Sequence, residues 1–177
     1  HRDLLPEYSK GLLDDPRVEL VHGEGRSALM RDKNTYDIIQ MTFISTYTAM
    51  SSGAYVLAES YLYTREAFEN MYNHLEEGGI LQIIWSTGTT ETLRLLSTIN
   101  SILDARHAAD FPNSVMVFRS RYEIGILFKR GEFTEDDASR MYQYCRELGF
   151  DVLYLPHRSF GTITETFIRT KEKAGFI

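Results

Sequence analysis

A chain of 177 residues that is 43% hydrophobic, 12% aromatic and 25% charged is long enough for one domain with a substantial core, and too apolar for wholesale disorder. Its formal charge of -6 argues against nonspecific binding to nucleic-acid phosphates, which requires a basic surface. The single cysteine, Cys145, rules out an intrachain disulfide and a cysteine-rich metal site, and no apolar run approaches the ~18–20 residues that cross a bilayer. The chain is expected to be soluble and cytoplasmic, with no direct membrane insertion, and a larger parent protein remains compatible with membrane anchorage.

In chain order, Leu4, Leu5, Tyr8 and Leu12 recur at roughly helical spacing until Asp14-Asp15-Pro16. Val18–His22 is expected to be a short buried strand running into the tight turn Gly23-Glu24-Gly25-Arg26. Ser27–Arg31 has room for one helical turn. Tyr36–Ile44 is a nearly continuous apolar run, as in a strand covered on both faces. Ser45–Tyr63 is rich in Ser, Thr, Tyr, Ala and Gly, and Glu59 is its lone acid. Such long irregular segments more often form binding loops or lids than filler.

Thr64 is a candidate N-cap for a helix whose apolar face is Ala67, Phe68, Met71, Tyr72 and Leu75, with Gly78-Gly79 ending it and Ile80–Trp85 as the next strand. A second helix is expected over Glu91–Arg106, facing inward with Leu93, Leu96, Ile99 and Leu103. Val115–Phe118 and Tyr122–Lys129 flank Arg119-Ser120-Arg121 as a hairpin. Thr134-Glu135-Asp136-Asp137 opens a helix with Ala138, Met141, Tyr142, Cys145 and Leu148 inward, Gly149 closes it, and Asp151–Leu155 is a final edge strand. The tail 157–177 is polar, with a possible helix over Thr164–Lys173. Alternating strands and helices that finish in a hairpin imply an α/β fold whose sheet is mostly parallel with an antiparallel end.

Several motifs then fall in one order. Asp15-Pro16-Arg17-Val18, Gly23-Glu24-Gly25-Arg26 and Tyr36-Asp37-Ile38-Ile39 come first. Ser52-Gly53-Ala54, Glu59-Ser60-Tyr61-Leu62-Tyr63-Thr64 and Gly78-Gly79-Ile80-Leu81 follow. This series resembles the spermidine synthases, and especially the bacterial spermidine synthase-like proteins, some of them fused to membrane segments. The resemblance covers roughly residues 12–156, which defines a partial domain over 1–156 followed by the polar tail 157–177. It implies the Rossmann-like fold of S-adenosylmethionine-dependent methyltransferases, here without its first two strands. It also implies S-adenosylmethionine, or its decarboxylated form, as cofactor.

By the same resemblance, the Gly23-Glu24-Gly25 turn corresponds to the family's turn that contacts the adenine amino group. A carboxylate accepts from an exocyclic amine, and glycines let backbone approach a planar ring. Gly23, Glu24, Gly25, Arg26 and Thr42 are therefore candidate cofactor contacts. Tyr47, Tyr61 and Tyr63 are candidates for the pocket of a small-molecule acceptor. The family's aspartate pair after its fourth strand corresponds to positions near Thr42 and Ser45, and no aspartate occurs between Asp37 and Asp104. Glu59 is then the candidate catalytic carboxylate. The family's glycine-rich loop and ribose-binding acid have no counterpart here. The expectation is the C-terminal portion of a longer transferase, completed by a missing N-terminal segment or a homo-oligomer partner.

Plainer readings stand beside these. Glu24 is also what a solvated turn acid looks like, and the tyrosines also suit a packed loop. His22, His74, His107 and His157 have no metal-ligand spacing, so no metal is expected. Methyl transfer, aminopropyl transfer in polyamine synthesis, and a non-catalytic module acting in interaction or assembly all remain open.

Overall fold

The computed structural model describes residues 11–42, 61–86 and 88–170; the side chains of Tyr61 and Ser86 lie outside the description. The chain divides into two compact units, residues 1–32 and 33–177. In the first, the expected helix over residues 2–13 lies mostly outside the described residues, which retain a 3-10 turn, Leu12–Asp14. Helix α1, Gly25–Arg31, follows.

Val18–His22 is not a strand. Val18, Leu20 and Val21 are 37%, 76% and 59% exposed. A strand needs a partner for its N–H and C=O groups. Among the described residues of this unit there is no second strand to supply one.

The second unit holds strands β1 (Tyr36–Thr42), β2 (Leu75–Ser86), β3 (Val115–Arg119), β4 (Glu123–Lys129) and β5 (Asp151–Tyr154) in one sheet of order β1-β2-β4-β3-β5. Its helices are α2 (Arg65–Asn73), α3 (Thr89–Arg106), the single turn α4 (Phe111–Ser114), α5 (Glu135–Leu148) and α6 (Ile163–Arg169). Strands β1 and β2, with α2 between them in sequence, form a Rossmann-type βαβ unit, and β1 pairs with β2 in parallel.

The three remaining pairings, β2–β4, β3–β4 and β3–β5, are antiparallel. The α/β class and the antiparallel hairpin are as expected, but the sheet of the described residues is not mostly parallel. With Val18–His22 outside it, β1–β2 is its one parallel joint.

Core residues sort by the alternation of the strands. One face carries Met41, Leu81, Ile83, Val115, Val117, Ile126 and Phe128, all at most 3% exposed. The buried faces of α2 (Ala67, Phe68, Met71, Tyr72) and α3 (Leu93, Leu96, Ile99, Leu103) belong to the same core, with Tyr72 stacked on Phe128 at 5.6 Å. Under α5 a smaller cluster joins Met116, Phe133, Ala138 and Leu155. Leu148, expected on the buried stripe of α5, is 52% exposed as the last residue of the helix.

Thr64 caps α2, accepting from the Ala67 N–H, and Thr134 and Asp137 form a reciprocal capping box on α5. Gly149 closes α5 in the left-handed conformation, with φ 69°.

Two other expectations change. Helix α2 ends at Asn73, before the glycine pair, and the chain enters β2 at Leu75. Tyr36 pairs with Leu75 but Ile38 pairs with Ile80, so residues 76–79 bulge out of the ladder. Gly78 takes φ 81° there. Strand β1 is not covered on both faces either. It lies at the sheet edge, Met41 is its one fully buried residue, and Ile38 is 63% exposed.

The segment after His157 is more than a polar tail. Its helix α6 buries Phe167 and Ile168.

Candidate functional site

Strands β1 and β2 run side by side and in the same direction, so their carboxyl ends, Thr42 and Ser86, open on one edge of the sheet. Ligands of open α/β sheets collect at such an edge. Two hollows lie there on opposite faces.

The first, about 250 Å³, is lined by Thr42, Ile84, Phe118, Gly125 and Phe150 among others. Gln40 Nε2 donates to the Thr42 hydroxyl oxygen at 2.9 Å, since residues two apart on a strand share a face. The Phe118 and Phe150 rings stack at 6.0 Å and 7°. Phe118 lies across Gly125, where an added Cβ would come within 2.3 Å of its Cζ. The hollow is therefore a largely apolar floor, with Thr42, Ser120 and Glu123 as its polar lining.

The second, about 220 Å³, is lined by Tyr63, Trp85, Glu91, Arg94, Leu95 and Thr98. Tyr63 and Trp85 meet edge to face, with centroids 4.6 Å apart at 75°. An added Cβ at Gly88 would meet Glu91 Oε2 at 2.3 Å, so this carboxylate folds back over the uncapped first turn of α3. A carboxylate in a helix's first turn is favoured by the N–H groups exposed there. The hollow thus sets an aromatic wall beside one carboxylate, Glu91, and one guanidinium, Arg94, and can hold a small organic group by apolar contact and a charged hydrogen bond.

In the first unit, Glu24 is the N-cap of α1. Its Oε1 accepts from the Arg26 N–H and its Oε2 from the Ser27 N–H, each at 2.8 Å. Partial burial raises its pKa, but these backbone donors, the Ser27 hydroxyl and the Arg26 charge together outweigh it and hold the carboxyl below its usual value. Of the carboxylate's roughly four lone-pair sites, these bonds leave one to offer.

An added Cβ at Gly25 would meet nothing within 4 Å, and at Gly23 only Arg31 Nη2 at 3.8 Å. Neither glycine adopts a positive φ. Within this unit neither packing nor backbone geometry demands a glycine, so the turn presents an open backbone surface.

The expected site residues are therefore distributed as follows. Gly23, Glu24, Gly25 and Arg26 form one cap and turn. Thr42 and Tyr63 lie at the same sheet edge but in different hollows. Tyr61 opens the 3-10 turn Tyr61–Tyr63. Tyr47 and Glu59 lie outside the described residues. Trp85, Glu91 and Arg94 were not anticipated from the sequence, although Glu91 stands in the first turn after a strand that ends at this edge. Among the described residues no group of three or more His, Cys, Asp or Glu could hold a metal ion, and no helix is long and apolar enough to cross a membrane.

Over 82 residues the chain is 33% identical to polyamine aminopropyltransferase 2 of Pseudomonas aeruginosa. Over that stretch the chain is similar to an aminopropyltransferase. The match spans 46% of this chain and 22% of the length of that relative. No protein-family model matches the chain. Among solved structures, spermidine synthase from Thermotoga maritima aligns with 88% of this chain and 48% of its own, at 17% identity and a TM-score of 0.49. A spermidine synthase in complex with the transition state analogue AdoDATO aligns with 88% of this chain and 50% of its own, at 20% identity and a TM-score of 0.49. The chain thus spans about half the length of these spermidine synthase-like structures.

Proposed function

We propose that this chain is part of a transferase that uses S-adenosylmethionine or its decarboxylated form to alkylate a small nucleophilic acceptor. The observation that carries the reading is the 33% identity over 82 residues with a polyamine aminopropyltransferase. The Tyr63–Trp85–Glu91 hollow at the carboxyl edge supports it, because the Glu91 carboxylate beside an aromatic wall can accept from an amine.

In such a reaction the acceptor nitrogen attacks the carbon bound to the sulfonium sulfur. The carbon–sulfur bond breaks, a neutral thioether leaves, and the nitrogen gives up a proton. Holding nucleophile and carbon in line supplies much of the rate. Glu24 and its flanking glycines would hold the adenine, with Arg26 and Thr42 as further cofactor contacts. Tyr47, Tyr61 and Tyr63 would wall the acceptor, and Glu59 would take the proton. The rest of the site would come from an N-terminal segment or a second copy of the chain.

Calorimetric titration of the folded chain with S-adenosylmethionine, decarboxylated S-adenosylmethionine and methylthioadenosine tests the reading. Heat with at least one of the three is expected, and preference between the first two distinguishes methyl from aminopropyl transfer. No heat with any of them would overturn cofactor binding by this chain. The stretch from 38 to 103, free of aspartate, favours a second reading. In that reading the domain is a non-catalytic module, which the same silent titration would support.

A further inference from the structure

At the opposite end of β2 from the proposed reaction edge, a cleft of about 410 Å³ is lined by Tyr72, Glu77, Arg106, Ala108, Arg130 and Gly131. Three observations converge on it. Tyr72 is 6% exposed and lines the cleft, and its hydroxyl, which no described residue engages, can donate to a group held there.

The guanidinium of Arg106 lies 5.0 Å from the centroid of the Tyr72 ring, and that of Arg130 lies 5.5 Å from the same centroid. One ring thus carries two guanidinium groups at the wall of one cleft, each with N–H donors of the kind that bind a phosphate oxygen. Lastly, Arg106 makes no hydrogen bond or ion pair among the described residues, so its planar fork of donors is unfilled.

Arg130 is oriented by its own backbone contacts. Its Nη1 donates to the Leu75 carbonyl at 2.6 Å, and its N–H and C=O pair with Gly79 and Gly78. Two features oppose an anion here. The carboxyl end of α3 lies beside Arg106, and the Glu77 carboxylate lies 3.9 Å from Arg130 Nε. Glu77 is 88% exposed and free to swing into water, and the end of a single helix carries only about half a charge. Two full positive charges outweigh both.

We propose that this cleft is an anion site for a phosphate group, with the Arg106 fork and the Arg130 guanidinium on its oxygens and the Tyr72 hydroxyl as a third donor. The exposed Ala108 wall leaves room for an organic body carrying the phosphate.

Titration of the full chain with inorganic phosphate, followed by NMR at the arginine Nε–H signals, tests the site against sodium chloride of matched ionic strength. Saturable shifts of the Arg106 and Arg130 signals, absent with chloride, are expected. Arg106→Ala, at an exposed position, should weaken binding by about tenfold or more, and Tyr72→Phe, which keeps the ring that packs on Phe128, by a few-fold. Equal shifts with chloride, no saturation, or undiminished affinity in Arg106→Ala would overturn the proposal. Tighter binding of phenyl phosphate than of inorganic phosphate would identify an ester group as the ligand, and equal affinity a free ion.

Discussion

Two glutamates make the chain's most consequential single-residue contacts, and they do so in different ways. Glu165, 5% exposed, accepts from the Phe160 and Gly161 N–H groups at 2.7 and 2.8 Å and from Arg169 Nε at 2.8 Å. Burial pushes its pKa up, but those donors and Ser159 outweigh it and bring the value down to about 2. A carboxylate whose folded pKa lies below its unfolded value stabilises fully above the unfolded value. It loses that contribution as pH falls through the folded one.

The depression to about 2 corresponds to stabilisation on the order of 3 kcal/mol, complete above roughly pH 5 and vanishing toward pH 2. Urea unfolding should therefore find Glu165→Gln less stable than the parent at pH 7. The two curves should converge as pH falls toward 2–3, and a gap independent of pH would contradict this account.

Glu24 is as well bonded but exposed, and its proposed second task is adenine recognition. Glu24→Ser keeps a capping oxygen for α1 while deleting the carboxylate, and Glu24→Ala deletes both. Both variants should bind methylthioadenosine about tenfold more weakly, since a charged hydrogen bond is lost in each. Binding by the serine variant with wild-type affinity would leave Glu24 a cap only.

Whole elements were readable in proportion to how local their causes are. The face of α2 and the capping box of α5 follow from spacing and short-range hydrogen bonds, which a window of sequence contains. The hairpin of β3 and β4 follows from apolar runs separated by Arg119-Ser120-Arg121. The pairing of β2 with β4 does not, because strand partners are chosen across the molecule. Val18–His22 has a strand's composition without a strand's neighbour. The glycine pair 78–79 was misassigned for a similar reason. It reads as a helix stop, but its cause lies in β1: at Gly79 an added Cβ would stand 2.9 Å from the Tyr36 carbonyl and 2.9 Å from that of Glu76. Backbone cannot yield as a side-chain tip can. Gly79→Ala should destabilise the chain by about 2 kcal/mol or more, measurable as a fall in thermal midpoint. An unchanged midpoint would mean that the bulge at 76–79 relaxes freely.

At the scale of the molecule, the candidate site was legible in part. Motif order pointed to the carboxyl edge of an α/β sheet, and Thr42 and Tyr63 line hollows at that edge. Trp85, Glu91 and Arg94 were invisible because each also satisfies an ordinary structural pattern, a strand end or a helix surface. Their convergence exists only once α3 folds back beside β2.

The one parallel joint of the sheet also sets an order of assembly. β3 and β4 are joined through residues 120–122 and can zip from a turn, whereas β1 meets β2 only after residues 43–74 have been looped back. Closing the longer loop costs about 2 kcal/mol more in chain entropy. A strand that joins late and at an edge also opens first. Amides of β1 should therefore exchange with solvent deuterium well before those of β4, and equal protection would refute this. The strand bearing Thr42 would then be the part of the reaction edge able to part from the sheet without unfolding the rest, so a ligand bridging β1 and β2 would act as a clasp on the least durable seam of the fold.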